Sequence, residues 1–307
     1  MEEYKFETEE TNKQSETEIG ANKLDDVKPD ENRFGSSSSK EGGKNPQIPR
    51  DEAPFVVLCG PPASGKSMVL KCLASYLYGS KYSISANTTL LPDAKYQADC
   101  LEFNSIIGDA NTKMPNTVDY LMADILDDLG NVKAHFLEAP GEDFFSLDRW
   151  QEEPNRAFKG YMDKVAQVTI NQPRKVIYII LMDLDSDISL RNNENLRKKY
   201  EQKMVKLYNK YVLNHPSRSR RVILLYNKVD LPQGGKWGNS GGCSNPKAVR
   251  ADAERNYPLL FFTKKFLFWN IENCTFLPFC TGSYEDGYTA AGPAYPSALW
   301  KEISELW

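Results

Sequence analysis

Histidine is scarce in this chain, and long apolar runs are missing. His135 and His215 stand far apart, and the six cysteines, Cys59, Cys72, Cys100, Cys243, Cys274 and Cys280, form no C-x-x-C pair. The ligand spacing of a zinc site is therefore absent, and free buried thiols are expected. The longest uninterrupted apolar run, Val176 to Met182, has seven residues, whereas a membrane-spanning helix needs about twenty. No membrane span is expected. The opening Met-Glu-Glu-Tyr-Lys lacks an apolar signal core, so the location expected is cytoplasmic. A basic excess is missing as well. The chain has 38 Lys+Arg against 42 Asp+Glu, and residues 1 to 50 hold 8 and 12 of them, leaving 30 of each sign beyond. A neutral remainder carries no footprint for nucleic acid, and no nucleic-acid partner is expected.

The first fifty residues also contain only nine apolar residues and pass through Ser36 to Ser39, Gly42, Gly43, Pro46 and Pro49. Such a segment buries too little to offset the entropy of ordering it. Residues 1–50 are read as a disordered acidic, Ser-rich tail and 51–307 as one domain. From Pro54 onward, short apolar runs alternate with helical patterns, as in an α/β protein with a mainly parallel sheet between two helical layers. Strands are expected at Phe55 to Cys59, Val132 to Leu137, Val176 to Met182, Val222 to Tyr226 and Thr275 to Cys280, with an additional edge strand at Ala98 to Ile107. Helices are expected at Lys66 to Tyr78, Val118 to Leu129, Asn155 to Thr169, Asn193 to Asn214 and Ser297 to Trp307. His135 falls mid-strand in an apolar surround and is read as structural.

The run Phe55-Val56-Val57-Leu58-Cys59 leads into Gly60-Pro61-Pro62-Ala63-Ser64-Gly65-Lys66-Ser67 and then, through Met68, into a helical pattern. This is G-x-x-x-x-G-K-[ST] in its strand, loop, helix setting. The spacing follows from chemistry: a wrapped loop turns successive N–H groups toward phosphate oxygens, and the next helix points its positive dipole end at them. Gly60 and Gly65 supply backbone freedom. Lys66 is the mobile charge for the β- and γ-phosphates, and Ser67 offers its hydroxyl to Mg²⁺.

Farther on, Arg221 to Tyr226 runs into Asn227-Lys228-Val229-Asp230, an N-K-x-D at a strand's carboxyl end, where open α/β sheets bind ligands. A carboxylate there matches the N1–H and N2–H₂ edge of guanine, and adenine offers no such pair of donors. Lys228 can lie over the base, and Asn227 can tie this loop to the phosphate loop. With both motifs in this order the chain resembles the Ras-like P-loop GTPase superfamily, in its translation-factor-related branch. The resemblance runs through most of residues 54 to 307.

It implies GTP or GDP as ligand, Mg²⁺ as cofactor, and a protein effector or regulator as partner. It also implies a third element, read here as Glu138-Ala139-Pro140-Gly141-Glu142. Glu138 stands where an Asp is usual and would orient a water on Mg²⁺, and Gly141 would offer its N–H to the γ-phosphate. The fifth element corresponds to Thr281-Gly282-Ser283, whose backbone would touch the base. For the second element, a threonine on Mg²⁺, Thr88, Thr89 and Thr112 all stand in the right interval, and Thr89 is the one assigned. The intervals from Lys66 to Glu138, 72 residues, and from Asp230 to Thr281, 51 residues, imply insertions near 79–131 and 232–274. With these insertions the pattern is also similar to prokaryotic double-GTPase proteins.

Glu142 occupies the place where relatives carry a water-positioning glutamine or histidine. A carboxylate beside a γ-phosphate is repelled, so slow hydrolysis is expected. The catalytic set read from the sequence is Lys66, Gly141 and Glu142, and Arg149 is read as a surface ion pair. Two other readings stay open: a P-loop ATPase with Asp183, at the end of the Val176 to Met182 run, as its metal-binding acid, and a GTP-binding scaffold without turnover.

Overall fold

The computed structural model describes residues 46–61, 63–91, 93–109, 114, 120–138, 175–183, 194–209, 220–229, 243–261, 274–282 and 291–305. Residues Gly43–Trp307 form one compact unit. Residues 1–45 of the expected tail lie outside the described residues. Its last residues are packed: Pro46 is buried, Ile48 rests against the core and the Gln47 N–H donates to Leu90 O at 2.7 Å.

Seven strands, β1 (Phe55–Cys59), β2 (Tyr82–Ala86), β3 (Leu121–Asp127), β4 (Val132–Glu138), β5 (Val176–Asp183), β6 (Arg220–Asn227) and β7 (Cys274–Pro278), form one sheet. Its order is β2-β3-β4-β1-β5-β6-β7. The pairs β1–β4, β1–β5, β5–β6 and β6–β7 are parallel, and β3 runs antiparallel to both of its neighbours. Among the described residues the helices are α1 (Lys66–Leu77), α2 (Ala94–Ile107), α3 (Glu194–Tyr208), α4 (Pro246–Asn256) and α5 (Ala294–Ser304). Every residue of β1 is buried, as are Val176 to Met182 of β5 and Val222 to Asn227 of β6. The central strands are therefore covered on both faces, which is why these runs read as continuously apolar. The expected helix at Asn155 to Thr169 lies outside the described residues.

Two expected elements are of the other kind. Ala98 to Ile107 is not an edge strand but the body of α2. Its buried residues Tyr96, Cys100, Phe103 and Ile107 recur at helical spacing. The Asp93 carboxylate caps this helix by accepting from the Tyr96 N–H at 2.8 Å. Val118 to Leu129 is not a helix, because β3 occupies Leu121–Asp127. The Asp127–Asn131 turn decides the outcome. The Asp127 carboxylate accepts from the N–H groups of Leu129 and Asn131 at 3.0 and 2.8 Å, and Gly130 takes φ 79°. The hydrogen bond from the Asn131 side chain, with those from the backbone and Lys133, holds the Asp127 carboxyl down at about 2. This turn folds the segment back onto β4, and pairing overrides the helix propensity of Leu, Met and Ala.

β2 and α2 fall within the 79–131 interval, and β2 is the edge strand beside β3. Asn104 of α2 accepts from the Ala86 N–H at 2.7 Å, blunting the sheet edge where another chain could pair. Lys71 of α1, itself buried, donates to the carbonyls of Ile106 and Asp109 at 3.2 and 2.5 Å. An ammonium group is thereby set on the negative end of α2. Burial, partly offset by the Asp109 carboxylate, pulls the Lys71 pKa down.

Candidate functional site

β1 sits between β4 and β5, and the chain leaves it to build strands on either side. The carboxyl end of β1 is thus the switch point where open α/β sheets bind ligands. The loop that emerges there is wound tightly. Ala63 takes φ 58° and Gly65 φ 90°, both left-handed, and Val69 N–H closes the first turn of α1 onto Gly65 O at 2.9 Å. Ser64 is wholly buried, Lys66 is nearly so and Met68 is half-buried, while Pro62 lies outside the described residues. Lys66 Nζ folds back over the loop and donates to Gly60 O at 3.2 Å and Pro61 O at 3.1 Å. Burial pushes the Cys59 thiol up to about 12 despite the charge of Lys66. That thiol is no nucleophile.

Three chain segments meet at Gly65. Asn227, the last residue of β6, is buried and donates from Nδ2 to Ser64 O at 2.8 Å, across 163 positions of sequence. A Cβ on Gly65 would stand 2.5 Å from that same Nδ2 and 3.9 Å from Cγ2 of Thr281. The segment after β7 is locked to β6 by hydrogen bonds from Phe279 N–H to Tyr226 O, 2.7 Å, and from Val229 N–H to Phe279 O, 3.2 Å. Lys228 takes φ 60° and Gly282 φ 88°, so both segments turn sharply as they leave the sheet. Thr281 is buried, and the Gly282 N–H donates to Cys280 Sγ at 3.4 Å. Asp230 and Ser283 lie outside the described residues.

On the opposite flank, Ser67 donates from Oγ to Oε1 of Glu138 at 2.5 Å. Glu138 is buried at the end of β4, whose Glu138 pairs with Leu121 of β3 and whose Leu137 pairs with Val57 of β1. Gly141, Glu142 and Arg149 lie outside the described residues, and so does Thr112. Thr89 follows β2, which stands two strands from the β4 strand of Glu138. Its hydroxyl and N–H both go to Asn87 Oδ1, at 2.6 and 2.9 Å.

His135 does not sit in the apolar surround expected of it. Its Nδ1 lies 2.6 Å from Asp124 Oδ1, and its Nε2 lies 3.0 Å from both oxygens of Asp51. Sequence reasoning also passed over Tyr226, whose hydroxyl donates to Asp252 Oδ2 at 2.9 Å. A tyrosine ending an apolar strand looks like plain core. Its one distinguishing signal is its position directly before Asn227.

The strand order, the strand directions and the loop geometry define an α/β fold of the P-loop type. No protein-family model and no curated protein matches the chain. Among solved structures it is similar to the Ski7 GTPase-like domain of S. cerevisiae bound to GDP and inorganic phosphate. The two are 15% identical with a TM-score of 0.41, over 82% of this chain and 50% of that one. It is similar to the bacterial selenocysteine-specific elongation factor EF-Sec, at 13% identity and TM-score 0.39, over 83% of this chain and 29% of that one. It is also similar to the signal recognition particle receptor SRb of Chaetomium thermophilum bound to GDP and Mg, at 15% identity and TM-score 0.37, over 84% of this chain and 100% of that one. The chain thus spans about half the length of the Ski7 structure. Among the described residues no helix is long and apolar enough to cross a membrane.

Proposed function

We propose that this domain binds a guanine nucleoside triphosphate with Mg²⁺ and works as a switch that hydrolyses it slowly. The observation that carries this reading is the Asn227 to Ser64 hydrogen bond. It fastens the strand end bearing N-K-x-D to the phosphate loop, with Thr281 against the same glycine, so a single ligand can span all three segments.

The residues present fit such a ligand. Ser64 Oγ and Asn227 Oδ1 are buried without a hydrogen-bond partner, a cost of about 1–3 kcal/mol each that a polar ligand or its water relieves. The cradle itself leaves no room for a side chain at Gly65. Ser67 and Glu138 are hard oxygen donors already in contact, suited to Mg²⁺ directly and through water. The cation supplies charge neutralisation on the phosphate oxygens. Lys66 would turn from the carbonyls of Gly60 and Pro61 to the β- and γ-phosphates, and Gly141 would add its N–H. Lys228 would cover the base, Asp230 would accept from its N1–H and N2–H₂ groups, and Thr281, Gly282 and Ser283 would close over its other edge. Glu142, a carboxylate facing a γ-phosphate, would hold the hydrolysis rate down. Ser67 is in contact with Glu138, the acid that this reading assigns to the cation.

The test is Asp230→Asn, assayed with fluorescent GTP, XTP and ATP. An amide N–H₂ facing guanine N1–H is a donor against a donor. GTP affinity should fall roughly thirty- to a thousand-fold, the equivalent of about 2–4 kcal/mol. XTP, which carries a carbonyl where guanine carries its amino group, should gain affinity. A wild type that prefers ATP, or a mutant that gains nothing for XTP, would end the guanine reading.

A further inference from the structure

α4 lies within the 232–274 interval that separates the N-K-x-D from the segment after β7, and it grips β6 one residue before Asn227. The Tyr226 ring is wholly buried, and its hydroxyl donates to Asp252 Oδ2 of α4 at 2.9 Å. Asn256, one turn on, donates from Nδ2 to the Tyr226 oxygen at 3.0 Å and to Asp252 Oδ2 at 3.1 Å. Three side chains thereby close a small, part-buried network. Tyr257 and Phe276 flank the ring at centroid distances of 6.3 and 6.4 Å. Burial, with the charge of Asp252, pushes the Tyr226 pKa far up, so the hydroxyl remains a donor.

The backbone of the same residue works on the other side. Tyr226 O accepts from Phe279 N–H at 2.7 Å, two positions before Thr281. Along a strand successive side chains point to opposite faces, so Tyr226 reaches α4 while Asn227 reaches Ser64. One residue therefore stands between the inserted helix, the segment after β7 and the strand end tied to the phosphate loop. α4 is itself well anchored: Val249 and Ala253 are fully buried, and Asn245 and Pro246 start the helix. Past its end, the buried Glu201 of α3 accepts from the N–H groups of Leu259 and Leu260 at 2.6 and 3.3 Å.

We infer that Tyr226, held by Asp252 and Asn256, is a positioning residue for base discrimination, through which the inserted helix sets the aim of the N-K-x-D turn. This rests on the guanine reading above. The geometry says why the insertion matters to that turn. Lys228 leaves the strand with a positive φ, and such a backbone persists where its surroundings over-determine it. The surroundings fixed by other observations are Asn227 on one face and the Tyr226 network on the other.

The experiment compares the affinities of GTP and ITP, which lacks the 2-amino group, for the full chain and for Tyr226→Phe, Asp252→Ala and Asp252→Asn. Tyr226→Phe and Asp252→Ala should each lower the GTP preference over ITP by roughly five- to tenfold, the worth of one ordinary hydrogen bond. Asp252→Asn keeps an acceptor oxygen and should retain the wild-type ratio. A purely structural network would lower the thermal midpoint, or weaken both nucleotides equally, and leave the ratio unchanged. That result, with a wild type that prefers GTP, overturns the positioning role alone. A wild type without preference for GTP over ITP and ATP overturns the guanine reading and this inference with it.

Discussion

A neutral imidazole has one N–H, yet both ring nitrogens of His135 face carboxylates. Asp124 Oδ1 is 2.6 Å from Nδ1, and the two oxygens of Asp51 are 3.0 Å from Nε2. Both contacts are hydrogen bonds only when the ring is protonated twice. Burial works against that charge, but the hydrogen bond and charge of Asp124, followed by those of Asp51, outweigh it and hold the pKa above its ordinary value. Such a group contributes its full stability below about pH 6.5, its unfolded value, and loses it as pH rises through the folded pKa. The bond to the nearly buried Asp124 contributes about 1.5–3 kcal/mol, and Asp51, about half exposed, adds less than about 1 kcal/mol after screening. Urea unfolding of wild type and His135→Gln at steps from pH 6 to 9.5 measures this directly, because every other titrating group cancels in the difference. The wild-type advantage should be about 2–3 kcal/mol near pH 6 and shrink steadily on the alkaline side. An advantage that stays level or grows with pH would mean that the ring is neutral and the charged triad is wrong.

Gly65→Ala should destabilise the domain by about 1–2 kcal/mol for the left-handed backbone and by about 1 kcal/mol more for displacing the Asn227 amide. It should also abolish nucleotide binding; a melting temperature and a GTP affinity both unchanged would dissolve the three-segment junction. Lys71→Met removes the ammonium from the carbonyls of Ile106 and Asp109 and should cost about 1–2 kcal/mol, since desolvation offsets part of the charge-assisted bonding. Urea unfolding gives the total, amide exchange should rise at the end of α2, and an unperturbed α2 would show that the lysine holds nothing.

The sequence made legible those parts of the molecule whose residue pattern has a single cause. β1, β5 and β6 are covered on both faces, and a continuous apolar run of five to eight residues bounded by turn signals seldom arises in another setting. The tight loop between β1 and α1 was equally plain, because Gly65 stands where the chain turns with a positive φ and packs against Asn227. Leu121–Asp127 was misread for the opposite reason. Met122 and Ile125 are three apart and suit either state, and only the cross-strand partnership of Asp124 with His135, set up by the turn at Asp127, chooses the strand. In α2 Tyr96, Ala98 and Cys100 alternate as they would in a strand, and the Asp93 cap was the overlooked signal. The tie from Asn227 to the loop after β1 was legible from the motif order, but other long-range partners were not. Nothing near His135 in sequence announces Asp51, and nothing near Tyr226 announces Asp252.

The sheet order has a consequence for how the site can be controlled. With β1 central, the loop after it is approached from β4 on one flank, where Ser67 meets Glu138, and from β6 and β7 on the other, where Asn227 meets Ser64. The Ser67–Glu138 and Asn227–Ser64 contacts are thus on opposite sides of the same loop. The surrounding elements divide in the same way. β2 and α2 extend the β4 side, and Lys71 of α1, one turn beyond Ser67, grips the end of α2. α4 belongs to the β6 side and grips Tyr226. A force applied to α2 therefore reaches the helix that carries Ser67, whereas a force applied to α4 reaches the strand that carries Asn227. Rigid packed elements transmit such displacements, so the two flanks of the loop are coupled to different helices.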